Sequence, residues 1–234
     1  MATYVMSDIH GHRALFHKML NKIGFSSEDT LYIIGDVCDR GPEPIPLLQE
    51  IMAAPNMVFL MGNHEDILLR YINLYGYGVN MRTWGLLGNR STLNGFNALD
   101  EALQREIGAF LQNAPIHATV TVNGRDFYLV HAFPGDTREE ELWSRPQGHA
   151  PNPLPGKQVI LGHTPTIHMD RDPAGVERYE GELFRKGKHM RIFREPGLVG
   201  IDCGCGTFSR VGALACLRLE DMEEFYVPMR AQTE

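Results

Sequence analysis

In the N-terminal third of the chain, one pattern of apolar and polar positions recurs three times. A short run of apolar and β-branched residues ends in a polar cluster containing glycine, and apolar residues at helical spacing follow. The first run is Thr3-Tyr4-Val5-Met6, ending at Ser7-Asp8-Ile9-His10-Gly11. Leu15, Met19, Leu20 and Ile23 recur behind it, with Gly24 placed to stop a helix. The second is Leu31-Tyr32-Ile33-Ile34, ending at Gly35-Asp36-Val37-Cys38-Asp39-Arg40-Gly41. A helix carrying Leu47, Leu48 and Ile51 starts near Pro44 or Pro46, in a first turn that does not need the missing N–H. The third is Met57-Val58-Phe59-Leu60-Met61, ending at Gly62-Asn63-His64-Glu65, with Ile67, Leu68, Leu69 and Ile72 behind it. Strand, loop and helix in this order predict a βαβαβ unit with parallel strands. Right-handed crossovers then bring all three polar clusters to the carboxyl edge of one sheet, where open α/β sheets place ligands.

The remaining pattern is different. A helix is predicted over 99–111, with Leu103, Ile107, Phe110 and Leu111 on one face. Alternation from Ile116 to Val122, the turn dipeptide Asn123-Gly124 and the returning Phe127–Val130 predict a hairpin ending at His131. Residues 134–157 hold five of the fourteen prolines and read as a long surface loop. Gln158-Val159-Ile160-Leu161 is a further strand, ending at Gly162-His163-Thr164, and strands follow near 190–193, 198–201, 211–219 and 224–227. The basic stretch from Arg185 to Arg194 reads as a solvated hairpin. With no internal repeat or linker, residues 1–234 are expected to form one α/β domain, two packed mixed β-sheets flanked by helices.

Composition narrows the class. Hydrophobic content of 43% and charged content of 22% are those of an ordinary globular protein. A net charge of −7 gives no electrostatic reason for a nucleic-acid partner. No apolar run reaches the roughly 20 residues that span a bilayer, and Asp8 interrupts the place where a signal peptide needs its apolar core. A cytoplasmic location without membrane attachment is the expectation; the oligomeric state stays open. Cys38, Cys203, Cys205 and Cys216 show no disulfide framework, and Cys203-x-Cys205 has no second pair at zinc spacing, so ordinary buried thiols are expected.

The strand ends collect Asp8, His10, Asp36, Asp39, Asn63, His64, His131 and His163. Any one aspartate could be a helix N-cap; three histidines and an asparagine alongside are not explained that way. Carboxylate, imidazole and amide oxygen suit Mn²⁺, Fe or Zn²⁺. One ion can take Asp8, His10 and one oxygen of Asp36, and a second can take Asp36, Asn63, His131 and His163, an arrangement suited to phosphoryl transfer. Asp8 and His10 flank Ile9, so an extended strand end would put both on one side.

These residues resemble the phosphoprotein phosphatases, especially their small bacterial and phage members, within the calcineurin-like metallophosphoesterase fold. The signatures Gly-Asp-x-His-Gly, Gly-Asp-x-x-Asp-Arg-Gly and Gly-Asn-His-Glu appear as Ser7–Gly11, Gly35–Gly41 and Gly62–Glu65, and the later histidines match in Leu129–Ala132 and Gly162–Pro165. The resemblance implies a metal-activated water attacking phosphorus in line, two divalent ions, most readily Mn²⁺, and His64 protonating the leaving oxygen while Asp39 orients it. It also implies Arg40 as a phosphate clamp, with Arg145 as a candidate second clamp. Two departures stand out: Ser7 replaces a glycine, and Met61 stands where the protein phosphatases carry an arginine, removing a cation expected beside the phosphate. The main expectation is a serine/threonine protein phosphatase of broad specificity, acting on phosphoproteins or small phosphoesters. The alternative is a dinucleoside polyphosphate hydrolase of the diadenosine tetraphosphate type, and a third reading is a metal-binding scaffold without catalysis. His12, His17, His117, His149, His168 and His189 are expected at the surface or in packing, and Asp202 receives no role.

Overall fold

The strand–helix repeat forms as its pattern requires. β1 (Thr3–Met6), α1 (Arg13–Ile23), β2 (Thr30–Ile34), α2 (Pro44–Ala53), β3 (Met57–Leu60) and α3 (Asn63–Asn73) follow in order, and β1, β2 and β3 pair in parallel. The computed structural model describes residues 1–74, 76–146, 154–169 and 172–230. Gly24 closes α1 in the left-handed region, where glycine carries no steric penalty. Pro44 sits in the first turn of α2.

Two short helices that the pattern did not announce, α4 (Met81–Leu86) and α5 (Arg90–Asn97), precede α6 (Glu101–Asn113), which Asp100 caps by accepting the Leu103 N–H. β4 (His117–Val122) and β5 (Arg125–Val130) turn on Asn123 and Gly124, both at positive φ. The stretch read as a long loop contains α7 (Arg138–Trp143), begun by a capping box between Thr137 and Glu140. His149 lies outside the described residues. After β6 (Gln158–Leu161) come α8 (Pro173–Arg185), β7 (Phe193–Glu195), β8 (Leu198–Gly200), β9 (Ala213–Arg218) and β10 (Glu224–Pro228). The basic stretch is therefore not one hairpin. Arg185 ends α8, 186–192 connect, and the antiparallel pair begins only at Phe193.

The strands form two five-stranded mixed sheets, ordered β10-β9-β1-β2-β3 and β4-β5-β6-β8-β7. Alternation along the strands divides the core. Val5, Ile34 and Leu60 of the first sheet meet Leu129, Ile160 and Val199 of the second in one buried cluster. Tyr4, Met6, Leu31, Ile33 and Phe59 face the other way, under Phe16, Met19, Leu47, Leu48 and Leu68 of α1–α3. Burial on both faces is why these strands read as continuous apolar runs. Met61 is fully buried in the helix-side core. Among the described residues, no helix is long and apolar enough to cross a membrane.

Candidate active site

The parallel strands β1, β2, β3, β5 and β6 all end at one place, because the loops that leave them are tied backbone to backbone. His10 N–H donates to Asp36 O at 2.9 Å, Gly41 N–H to His10 O at 2.9 Å, and Gly162 N–H to His131 O at 2.8 Å. Approach is close enough to demand glycine: a Cβ on Gly62 would lie 2.4 Å from Asp36 Oδ1, and one on Gly162 would lie 2.3 Å from Asp8 Oδ2. Asp8, His10, Asp36, Asp39, Arg40 and His163 all adopt positive φ. For side chains with a Cβ this conformation costs of the order of 1–3 kcal/mol each, and its concentration here marks a built site. It also corrects one expectation, since Asp8 and His10 are left-handed turn residues and not the end of an extended strand.

Asp36 is the hub. Its Oδ1 lies 3.3 Å from His131 Nε2, while its Oδ2 lies 3.8 Å from His10 Nε2 and 3.7 Å from His64 Nε2. Two clusters able to hold a metal ion therefore share this carboxylate: His10, Asp36 and His64 on one side, Asp36, His131 and His163 on the other. The tautomers are set by backbone carbonyls, which can only accept. His10 Nδ1 donates to Cys38 O at 2.8 Å and His131 Nδ1 to Ile34 O at 2.9 Å, so each Nε2 presents a lone pair inward. Asn63 Oδ1 lies 2.9 Å from both His131 Nε2 and His163 Nδ1. Acceptors thus converge on acceptors, the condition that a cation relieves. In this structure the Arg40 guanidinium answers part of that demand, donating from Nη1 to His10 Nε2 at 2.6 Å. The donor set fits borderline divalent ions. Asp8 differs from the expected pattern: both its oxygens accept the His163 N–H, at 3.2 and 3.0 Å, and it belongs to neither three-residue cluster.

Charge follows from burial and neighbours. Burial, reinforced by Arg40 and His64, holds His10 well below the usual imidazole range. Burial and His131 bring His163 down to about 3. Both are neutral at physiological pH, the form in which an imidazole can ligate a metal. Burial alone would raise Asp36, but His131, His64, His10 and His163 together hold it below its usual range. Burial works against protonation of His64 too, yet Asp36 and Asp39 outweigh it and raise its affinity for a proton. Among these histidines His64 is the one whose surroundings favour the protonated form. Its Nδ1 donates to Asp39 Oδ2 at 2.6 Å.

Several supporting residues were invisible in the pattern. Trp84 of α4 donates its indole N–H to Asp39 Oδ2 at 2.7 Å, and Thr92 of α5 accepts the Asp39 N–H at 2.8 Å. Both sit on the helices that went unannounced. Glu65, inside a recognised motif but without an assigned task, accepts from Asp36 N–H at 2.9 Å and Cys38 N–H at 2.7 Å, fixing the loop that carries the hub. Thr207 accepts from Arg40 Nη1 at 2.5 Å. Arg145 donates to Thr164 Oγ1 at 3.2 Å, and with Arg40, His163, His168 and Thr207 it lines a cavity of about 380 Å³. Met61 takes no part in that lining. Asp202 is buried, and burial, with Asp8 second, pushes its carboxyl well above the usual range; its Oδ1 accepts the Gly204 N–H at 2.8 Å. All four cysteines are free and buried, as expected.

Known proteins are similar to this chain. The bis(5'-nucleosyl)-tetraphosphatase, symmetrical, of Paracidovorax citrulli (strain AAC00-1) is 37% identical over 190 residues, covering 76% of this chain and 62% of that protein. Its namesake in Acidovorax sp. (strain JS42) is 34% identical over 146 residues, 61% of this chain and 48% of that protein. The chain therefore spans less than two thirds of either relative's length. These names match the alternative reading of the sequence and not the protein-phosphatase one. The crystal structure of a metallophosphoesterase from Sphaerobacter thermophilus superposes with a TM-score of 0.59 at 13% identity, covering 98% of this chain and 90% of that one, a likeness of fold. Residues 1–204 match the model of the calcineurin-like phosphoesterases, and the chain belongs to that family.

Proposed function

We propose that this metallophosphoesterase is a two-metal hydrolase of dinucleoside polyphosphates, cleaving a dinucleoside tetraphosphate and water into two nucleoside diphosphates. The observation that carries the reading is Asp36, whose Oδ2 faces the imidazole nitrogens of His10 and His64 while its Oδ1 faces that of His131. The relatives' names supply the substrate class. Asp8, His10 and Asp36 would hold one divalent ion, and Asp36, Asn63, His131 and His163 the other; Mn²⁺, Fe and Zn²⁺ all suit these donors. When bound, such ions supply an activated water and neutralise charge on the phosphoryl oxygens. The chain's own residues do the rest. Carbonyl-locked His10 and His131 keep their lone pairs aimed inward. The dyad of His64 and Asp39 holds a proton at Nε2 for the departing oxygen. Arg40 and Arg145, both lining the cavity, offer guanidinium forks for the phosphate chain.

A catalytically inert scaffold would have no need of a hydrogen-bonded histidine–aspartate pair beside the metal ligands. The test is a rate comparison with Mn²⁺ on diadenosine tetraphosphate, phosphoserine and phosphothreonine peptides, phosphotyrosine peptides and p-nitrophenyl phosphate. The proposal expects kcat/KM to be highest on the dinucleotide. A phosphopeptide preferred by orders of magnitude would overturn it.

A further inference from the structure

A second concave site lies where the end of α8, the loop before β9 and the end of β10 meet. A cavity of about 470 Å³ there is lined by Phe184, Arg185, Lys186, Lys188, Arg210 and Arg230. Five cations around one hollow are notable in a chain whose net charge is −7. Glu182 pairs with Lys186 at 2.5 Å. Among the described residues Arg185, Lys188, Arg210 and Arg230 make no ion pair. The guanidinium carbons of Arg210 and Arg230 lie 5.1 and 5.3 Å from the centroid of the Phe184 ring, which is 38% exposed. Such contacts are weak at an exposed site, and the like charges of the two arginines repel. An anion held between them removes that repulsion and gains charge-assisted hydrogen bonds from both forks.

The shape and the charge count restrict the anion. A hollow of this size is that of a small-molecule site, and the acidic chain as a whole argues against a long nucleic acid. Four positive groups without an ion pair among the described residues, beside Lys186 paired with Glu182, are out of proportion to one monovalent anion and suit a chain of phosphates. The hollow also adjoins the active site along the sequence. Thr207 lines the catalytic cavity and Arg210 lines this one; three residues apart, their Cα atoms are separated by at most about 11 Å.

We propose that this basic hollow is a second anion site that binds an oligophosphate chain. The oligophosphate is either the far end of the substrate or a separate effector, and only the substrate case rests on the proposed dinucleotide activity. The direct test is calorimetric titration of the EDTA-treated protein with inorganic tripolyphosphate. Arg210→Ala with Arg230→Ala should weaken one binding event by about tenfold or more, the loss expected for charge-assisted contacts, whereas Arg40→Ala should spare that event. Should loss of the Phe184 contacts unfold the first variant, Arg185→Gln with Lys188→Gln gives the same reading. Unchanged tripolyphosphate affinity in the variants, or a loss seen only with Arg40→Ala, would overturn the proposal. Kinetics then separate the sources. A substrate end predicts that KM for diadenosine tetraphosphate rises about tenfold in the variants while p-nitrophenyl phosphate turnover is unchanged. An effector predicts that tripolyphosphate alters p-nitrophenyl phosphate turnover in the wild type and not in the variants. A wild-type protein that ignores the dinucleotide would sink the proposed activity, and the titration would still decide the hollow.

Discussion

Trp84→Phe tests how His64, the proposed proton carrier, is held. Trp84 is 1% exposed and donates to the same Asp39 oxygen that accepts from His64. Asp39 is fully buried, and its Oδ1 has no hydrogen-bond partner. Phenylalanine removes the indole donor and leaves that carboxylate with the His64 ring as its remaining side-chain partner. Hydrogen bonds to charged groups are worth about 1.5–3 kcal/mol. Trimming indole to phenyl in a packed core adds roughly 1 kcal/mol, a fraction of the cost of full truncation. Metal-free protein unfolded in urea should therefore lose about 2.5–4 kcal/mol. In an Asp39→Ala background the acceptor is gone, and the same change should cost only the packing part, roughly 1 kcal/mol. Turnover should fall too, because Asp39 is then less firmly placed to orient His64. If Trp84→Phe cost the same in both backgrounds within about 0.5 kcal/mol, the hydrogen bond would carry no weight and Trp84 would be packing alone.

Other changes have equally definite outcomes. Asp36→Asn should weaken both ions together, checked by metal content after reconstitution with excess Mn²⁺; loss of one ion with full retention of the other would contradict the shared carboxylate. His64→Asn should leave metal content near normal and slow phosphoserine hydrolysis by about 10²–10⁴-fold. It should do less harm on diadenosine tetraphosphate and p-nitrophenyl phosphate, whose leaving groups need less protonation; equal losses on all three would refute the acid role. Burial keeps His10 and His163 neutral in the folded chain, His163 with a pKa of about 3, whereas the unfolded chain protonates them below about pH 6.5. The unfolded state then binds more protons, so metal-free stability should fall as pH drops below about 6.5, by up to about 1.4 kcal/mol per histidine per pH unit. His64, shifted the other way, loses its contribution only as pH rises above that value. Buried Asp202, whose carboxyl is held above its usual range, pulls the other way, so the reading is a difference: urea midpoints that fall as steeply in His163→Asn as in the wild type between about pH 6.5 and 5 would refute this. Met61→Arg places a charge in a fully buried position and should destabilise the protein by several kcal/mol without raising activity on phosphopeptides, as kinetics and urea unfolding together would show.

The N-terminal half of the site was legible because its signal is periodic and local. Apolar runs buried on both faces, each stopped by a glycine-bearing polar cluster, gave the three parallel strands and hence the shared edge. His131 and His163 could be read for the same reason, each directly following a strand of the second sheet. What escaped notice lies where the pattern is weak. α4 and α5 are short and contain Gly85 and Gly95, so the partners Trp84 and Thr92 of Asp39 carried no helical signature. α7 and α8 did announce themselves, through Thr137 with Glu140 and through Asp172 before Pro173, but proline-rich and basic surroundings masked those caps. The left-handed turns at Asp8 and His10 had no glycine to betray them; their φ values come from the loop pairing of His10 with Asp36 and Gly41. The substrate was least legible, because the polar clusters carry donor types suited to a metal and a phosphate, and nothing in them distinguishes one leaving group from another.

The central claim is a two-metal centre built on Asp36 that cuts a dinucleoside tetraphosphate at its middle. Product analysis of diadenosine tetraphosphate hydrolysed by the Mn²⁺-loaded protein in heavy-oxygen water tests it most directly. ADP should be the sole nucleotide product, with heavy oxygen on the terminal phosphate of one ADP from each molecule cleaved, and the reaction should be lost in Asp36→Asn. Release of AMP with ATP, or no turnover of the dinucleotide by a protein that hydrolyses phosphopeptides rapidly, would contradict it.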